Sequence, residues 1–439
     1  MNRKDPGTFK SRWTVAVAVV ATLCLTALMP AAAEQVEITL WHYQRNDAST
    51  RAVVEAFERR YPNIKVNLAH MGALNGENFF VAAAAGVGPD IVWADGPLVT
   101  SWALGGYIQP LTPWIERAGL SRSDFVPSAW DQAVWNGEVW ALPLYVDSNF
   151  GLAYNRDMLD AAGVVPPTTI AELDDVNLKL AEYTSDGVLT RIGLIPWYTH
   201  GYGNSVYTWG WAFGGSFYDP ENRRITANDP QIVAALEWMA TLAERFGGFD
   251  AVQDLLSNLE SGYDSLMSRR VAMRPEHMGV INSWIRARTP DLNFGLAPMP
   301  YLESAVDGPQ NWVGGFTLVM SSASKHPDEA FEFIRFVTAD PEGTEVWSQA
   351  SGNFPGYLGS PAFERLALSD DFAVRFFAEI LSAARHARPP IPNQGTYYSQ
   401  LNNNLVPVLR GEVPAQQMLD EVTRVVQLDL DRILAEAGQ

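Results

Sequence analysis

From residue 36 onward the chain alternates between two hydrophobic rhythms. Val36, Ile38 and Leu40 are separated by polar Glu37 and Thr39, and this period of two predicts a strand over 36–41. Val53, Val54 and Phe57 then fall on one face of a helix over 49–60, which Tyr61-Pro62-Asn63 ends. Period two returns over 64–68. A helix over 79–85 stops at Gly86, and Asp90-Ile91-Val92-Trp93 is a short buried strand feeding a helix over 97–104. Repeated strand–helix units predict a largely parallel sheet covered by helices.

The alternation continues past residue 139. Extended segments over 139–146 and 151–154 are joined by Asp147-Ser148-Asn149, and a helix over 170–183 and a strand over 192–195 follow. Helices over 230–245 and 252–259, with strands over 271–274 and 294–296, complete a second α/β core. Aromatics and glycines crowd residues 198–218, which predicts loops and short helices there rather than one regular element. Met299-Pro300-Tyr301 through Gly308-Pro309 reads as a linker before a strand over 314–320 and a helix over 327–337. At the end, Met418, Leu419, Val422, Val425, Val426, Leu430, Ile433 and Leu434 recur at helical spacing.

Length agrees with two cores, since 439 residues exceed the roughly 250–300 that one core supports. At 47% hydrophobic and 18% charged residues, a packed chain is expected. Only one stretch is apolar enough to consider for a membrane. Arg3, Lys4, Lys10 and Arg12 precede an apolar run over 14–29, and Pro30-Ala31-Ala32-Ala33 puts small residues before Glu34. That is the pattern of a secretory signal (residues 1–33) cleaved after Ala33. A retained anchor would need about 20 apolar residues, whereas this run has 16 and contains Thr22 and Thr26. Cys24, the single cysteine, lies inside the segment behind Thr22-Leu23, without the small residue a lipidated cysteine needs. The mature protein is therefore expected to have no disulfide and no cysteine metal site, and to be free in a Gram-negative periplasm.

Charge and spacing exclude several function classes. Without residues 1–33, 27 basic side chains stand against 49 acidic ones, a net charge of −22 that repels nucleic acid. The six histidines are spaced by 28 residues or more, so no HxH, HxxxH or HExxH zinc spacing exists. There is no P-loop, Gly201-Tyr202-Gly203 lacks the third glycine of a dinucleotide fingerprint, and Gly214-Gly215-Ser216 lacks the glycine of a nucleophile elbow. No cofactor, metal ligand or catalytic residue is singled out.

What the sequence does single out is the placement of its aromatics. Several of the 15 tryptophans and 15 tyrosines end expected strands: Trp41-His42-Tyr43, Trp93 with Asp95, and Tyr145 with Asp147. Ligands of open α/β sheets bind beyond the carboxyl ends of strands. An aromatic face stacks on the C–H-rich face of a sugar, and a carboxylate accepts from its hydroxyls. Each has a packing alternative. Tryptophan is mostly buried, Asp95 before Gly96-Pro97 also fits a helix cap, and Trp209 and Trp211 fit packing better than binding. Gly314-Gly315 is either a bulge that admits no side chain or a place where backbone N–H groups meet a ligand.

Ordered along the chain, these blocks resemble family 1 extracellular solute-binding proteins, the maltose-binding-protein-like sugar-capturing subunits of ABC importers. The blocks are Thr39-Leu40-Trp41 with Pro62 and Lys65-Val66, and Gly88-Pro89-Asp90-Ile91-Val92-Trp93-Ala94-Asp95 with Gly106, Ile108 and Leu111. Asn136-Gly137 through Pro143 to Tyr154-Asn155, then Pro166-Pro167-Thr168-Thr169, come next, followed by Phe213-Gly214-Gly215. Gly314-Gly315 through Ser324-Lys325-His326-Pro327-Asp328-Glu329-Ala330 to Phe333-Ile334 is the most specific.

The resemblance implies an α/β, two-lobe periplasmic binding protein fold, each lobe a sheet flanked by helices with a hinge between them. Lobe 1 would hold 34–143 and 311–360, and lobe 2 would hold 147–300 and 365–439. It implies a non-enzymatic monomer that binds a di- or oligosaccharide in the cleft and presents it to an inner-membrane ABC permease. Trp93, Asp95 and Asp147 match the family's aromatic and acidic contacts, and Tyr43, Tyr145, Gly314 and Gly315 line the same strand ends. Trp197-Tyr198, the segment around Glu276-His277-Met278 and Tyr397-Tyr398 match three further contact regions, although the second lacks the family's tryptophan. Gln44 and Arg45 replace the polar loop after the first strand. Two alternatives stay open: a phosphorylated polyol or other small anion held by Arg45, Arg274 and Arg375, and a periplasmic carbohydrate-active enzyme.

Overall fold

The computed structural model describes residues 1–2, 35–43, 48–72, 76–257, 259 and 265–438. The expected signal segment with Cys24, and the loop residues Gln44 and Arg45, lie outside the described residues.

The first lobe begins as expected. Strands β1 (Val36–His42), β2 (Ile64–His70) and β3 (Ile91–Asp95) run parallel, with β1 between the other two. Helices α1 (Ala48–Arg60) and α2 (Glu77–Ala84) make the connections. Beyond β3 the sheet departs from the expected parallel order. β4 (Ala141–Asn149) leaves this lobe and continues into β5 (Gly151–Asn155), which is the centre of a three-stranded antiparallel sheet with β6 (Met273–Glu276) and β7 (Phe294–Ala297). The chain returns along β8 (Trp312–Ser321), which lies between β3 and β4 and is antiparallel to both. A strand that comes back from another lobe needs no crossover helix, so it enters the sheet from the opposite end. The repeated strand–helix text could not show this, because the return spans more than 150 residues. Three short strands complete the region: Ile108–Gln109 beside the end of β8, β9 (Phe354–Pro355) on the edge of β4, and β10 (His386–Ala387) beside the start of β8.

Two other segments differ from expectation for identifiable reasons. Residues 202–212 form one regular helix, α3 (Tyr202–Ala212), rather than loops. Nearly every residue of it is buried, so no polar face marks the helical period. Its glycines permit close approach: a Cβ on Gly203 would lie 2.7 Å from the Tyr398 ring, and one on Gly210 would lie 2.5 Å from Phe217. Residues 192–195 are extended but make only an isolated bridge between Ile192 and Val271. The buried Asn177 takes the place of a strand there. Its Nδ2 donates to the Leu194 carbonyl and its Oδ1 accepts from the Leu194 N–H, both at 2.9 Å.

Each lobe has its own core. In the first, α1 and helices α4 (Pro327–Ala339) and α5 (Pro341–Ser351) cover one face of the sheet, burying Phe57, Ile91, Leu142, Leu318, Phe333 and Trp347. In the second, α3, α6 (Gln394–Leu409) and the C-terminal α7 (Ala415–Glu436) pack with Tyr207, Trp209, Leu236, Tyr397 and Leu430 inside. A third cluster, with Val146, Ala153, Val313, Phe354 and Phe377, runs along the crossing strands. Trp93 belongs to the first core. It is 1% exposed, edge-on to Trp347 at 5.2 Å and to Tyr43 at 5.5 Å. Trp93→Ala should therefore lower the stability of the ligand-free protein by about 3–5 kcal/mol, read by denaturant unfolding. An unchanged unfolding midpoint would put this ring outside the core.

Candidate functional site

The register of the crossing strands gathers the carboxyl ends of several elements. Phe316 of β8 lies opposite Asp95 of β3 and Tyr145 of β4, and Gly314 lies opposite Asp147. Tyr43, just past β1, closes the group. Its hydroxyl is 3.3 Å from that of Tyr145, and its ring is 4.7 Å from Phe316, which is 5.3 Å from the Tyr145 ring. The glycine pair is explained by strand packing. Gly315 sits at φ +126°, and a Cβ there would come 2.3 Å from the Tyr145 carbonyl oxygen; one on Gly314 would come 2.8 Å from the Asn149 amide.

Two carboxylates face this patch in different conditions. Asp95 heads the short turn Gly96–Leu98 but makes no side-chain capping bond. It approaches Arg388 instead, with Nη2 3.5 Å from Oδ2. Burial raises its carboxyl above the usual range, opposed chiefly by the Arg388 charge. Asp147 forms no hydrogen bond or ion pair with any described residue. Burial, and then repulsion from Asp95, push its carboxyl up to about 6. The Tyr43 and Tyr145 hydroxyls are raised by burial and by both aspartates, so they stay protonated and available as donors.

Arg388 carries the site toward the second lobe. It follows β10, its guanidinium lies 5.9 Å over the Trp312 ring, and its carbonyl accepts from Gln132 Nε2 at 3.5 Å. Trp312 meets Phe150 edge-on at 5.5 Å, and Phe150 stacks on His200 at 5.5 Å with the planes 6° apart. Next to His200 stand Glu276 and His277, at the end of β6 and just past it. Arg274 reaches Glu276 at 3.1 Å and lies 4.9 Å over Tyr198. Tyr398, on α6, is half-buried against Gly201 and Gly203.

The structure thus brings Tyr43, Asp95, Tyr145, Asp147, Gly314 and Gly315 together, and sets Tyr198, Glu276, His277 and Tyr398 on the second lobe. Three aromatics expected to contact ligand are instead core. Trp93 is packed as above, Trp197 is 1% exposed against Phe249, and Tyr397 is fully buried with its hydroxyl donating to the Phe217 carbonyl at 2.9 Å. Trp209 and Trp211 are buried, as packing residues should be. Sequence reasoning missed Phe316, His200 and Arg388. Phe316 was signalled by its place after Gly314-Gly315; the other two stand in loops with no motif around them. Among the described residues no group of three or more His, Cys, Asp or Glu side chains is arranged to hold a metal ion, and no helix is long and apolar enough to cross a membrane.

Comparison with known proteins bears on the family and the fold. The family model of bacterial extracellular solute-binding proteins matches residues 42–344. The melibiose/raffinose/stachyose-binding protein MelE of Bacillus subtilis (strain 168) is 24% identical over 69% of this chain and 69% of its own length. CpMnBP1 with mannotriose bound superposes with a TM-score of 0.71 at 22% identity, covering 89% of this chain and 99% of that one. The sugar-binding protein MalE of Xanthomonas citri gives a TM-score of 0.76 at 19% identity, covering 91% and 98%. These structures share the two-lobe fold, and the family match extends over most of the chain. The protein belongs to the bacterial extracellular solute-binding proteins.

Proposed function

We propose that this protein is the periplasmic saccharide-binding subunit of an ABC importer, a monomer that captures a di- or oligosaccharide without chemistry and hands it to an inner-membrane permease. Lobe 1 is assigned to about 34–143 and 311–360, and lobe 2 to about 147–300 and 365–439, in keeping with the separate cores. The observation that carries the reading is Asp147. A carboxylate at the junction of the lobes, beside Tyr43, Tyr145 and Phe316 and without a partner among the described residues, is suited to accept from a sugar hydroxyl while a ring lies against the aromatics. MelE is named for binding melibiose, raffinose and stachyose, and CpMnBP1 was solved with mannotriose, which supports an oligosaccharide over a single hexose.

The anionic alternative loses its described cations. Arg274 is committed to Glu276, Arg375 donates to the Ser369 carbonyl on an exposed surface, and Arg388 faces Asp95. The direct test is calorimetric titration with mannotriose, melibiose, maltotetraose and glycerol 3-phosphate. One of the sugars should bind and the phosphate should not; the reverse result would sink the saccharide reading.

Three outcomes follow for the sugar that binds. Asp147→Asn should weaken it by about 2 kcal/mol, the loss of a hydrogen bond to a charged group, or roughly thirtyfold. Acidity should act in opposite directions on stability and on affinity. Because the folded-state pKa of Asp147 is raised, its stabilising contribution is present below the unfolded value of about 4 and is lost as pH rises through about 6. A hydroxyl that donates to the ionised carboxylate favours the charged form, so affinity should be level at neutral pH and fall as pH drops through about 6. Asp147→Asn should flatten that fall; a wild-type affinity indifferent to pH across this range would count against the contact. Finally, sugar should shrink the radius of gyration in small-angle scattering by closing the lobes, and an unchanged radius at saturation would contradict a two-lobe trap.

A further inference from the structure

The second lobe of this protein carries a buried ion cluster at the end of β6. Glu276, fully buried, is in antiparallel register with Gly151 at the end of β6, next to Phe150. One of its oxygens is 3.1 Å from Arg274 Nη1, and the other is 2.9 Å from His200 Nε2. The carboxylate is therefore neutralised by Arg274, and it can only accept from the imidazole. A neutral imidazole that donates from Nε2 must leave Nδ1 as an acceptor.

The ring is also held in place. It stacks on Phe150 with the planes 6° apart, and the residue sits at φ +47°, in the left-handed region, immediately before Gly201. Its carbonyl accepts from Asn204 Nδ2 at 2.9 Å. The side chain is 26% exposed, and Nδ1 has no hydrogen-bond partner among the described residues. The neighbouring His277, with its ring centroid 4.9 Å away, is kept neutral by burial, which pushes it down to about 4, so it sets no positive charge beside His200 at neutral pH.

We propose that His200 is a specificity-determining residue of the cleft: Glu276 fixes its tautomer so that Nδ1 accepts a hydrogen bond from a hydroxyl of the sugar unit lying against the second lobe. This rests on the reading of the cleft as a saccharide site. An aromatic face would take any ring, whereas an imidazole acceptor takes a unit by one O–H at a set position. A site built around such a bond rejects analogues that lack the hydroxyl far better than an apolar pocket does. Glu276 acts through His200 and is a positioning residue.

Two measurements on the whole mature protein test this. The first is long-range proton–nitrogen NMR of the imidazoles, with His200→Phe identifying the His200 signals. Ligand-free His200 should be protonated at Nε2 alone; Glu276→Gln, which can donate as well as accept, should mix the tautomers; and added sugar should move the Nδ1 resonance. Protonation at Nδ1, or an Nδ1 signal indifferent to saturating sugar, would overturn the proposal. The second is affinity for the sugar among mannotriose, melibiose and maltotetraose that binds the wild type. His200→Phe keeps the stack on Phe150 and removes the acceptor, and should weaken binding about tenfold, which is 1.4 kcal/mol. His200→Asn restores an acceptor near the Nδ1 position and should recover most of that loss. Undiminished binding by His200→Phe overturns this inference alone. A wild type that binds none of the sugars overturns the saccharide reading and this inference with it.

Discussion

Strand β8 serves two neighbours of different origin, and the site depends on how it is held between them. One edge pairs antiparallel with β3, which belongs to the parallel βα series, and the other pairs antiparallel with β4, the strand on which the chain leaves for the second lobe. A strand of ten residues spans about 33 Å, enough to start among second-lobe residues at Trp312 and end in the first core at Met320. Its register therefore sets the position of Asp147, Phe316 and Arg388 relative to Asp95. A slip of one residue either way would turn Phe316 away from Tyr43 and Tyr145, and the slip that moved Phe316 into the place of Gly315 would drive a side chain into the Tyr145 carbonyl. The close contact at Gly315 makes that slip costly, which gives the glycine pair a role in register and no need of one in ligand contact.

Around this frame the electrostatics of the two lobes are treated differently. In the first lobe, Asp95 and Asp147 repel one another in a desolvated patch, and among the described residues only Asp95 has a cation nearby. That leaves Asp147 with unspent acceptor capacity for a ligand, the usual condition of a binding group rather than a structural one. In the second lobe the buried cluster is matched internally: Arg274 and His200 close on Glu276, and Tyr198 covers the guanidinium. The first wall offers charge and the second offers oriented neutral groups. Such a division suits a neutral, hydroxyl-rich ligand, which needs acceptors on several sides and no net counter-charge.

Much of the fold was legible because burial writes a period into the sequence. β1, β2, α1 and the stripe from Met418 to Leu434 were readable since each has one wet face, and β3 was readable as a short apolar run. α3 was not, because it is buried on all sides, and 192–195 is no regular strand because Asn177 takes both backbone groups of Leu194, which ends the pairing begun at Ile192. The antiparallel entry of β8 is a pairing across more than 150 residues, and no local pattern encodes it. In the candidate site, the grouping of acids and tyrosines at strand ends was readable from position alone: Asp95, Asp147, Tyr43 and Tyr145. Tryptophan was the poorer guide. Trp93 and Trp197 have the residue type of a sugar platform, but their size makes them the natural filling for a core, and both ended there. His200 and Arg388 become visible only when loops distant in sequence come together around Phe150 and Trp312.

The central claim is that a sugar completes the hydrogen bonding of Asp147 at the junction of the lobes. A crystal structure of the mature protein with its tightest-binding oligosaccharide tests that most directly. The account predicts a hydroxyl within about 2.5–3.0 Å of an Asp147 carboxylate oxygen and a ring face against Phe316 or Tyr43. A sugar seated elsewhere, with Asp147 still lacking a partner, would contradict it.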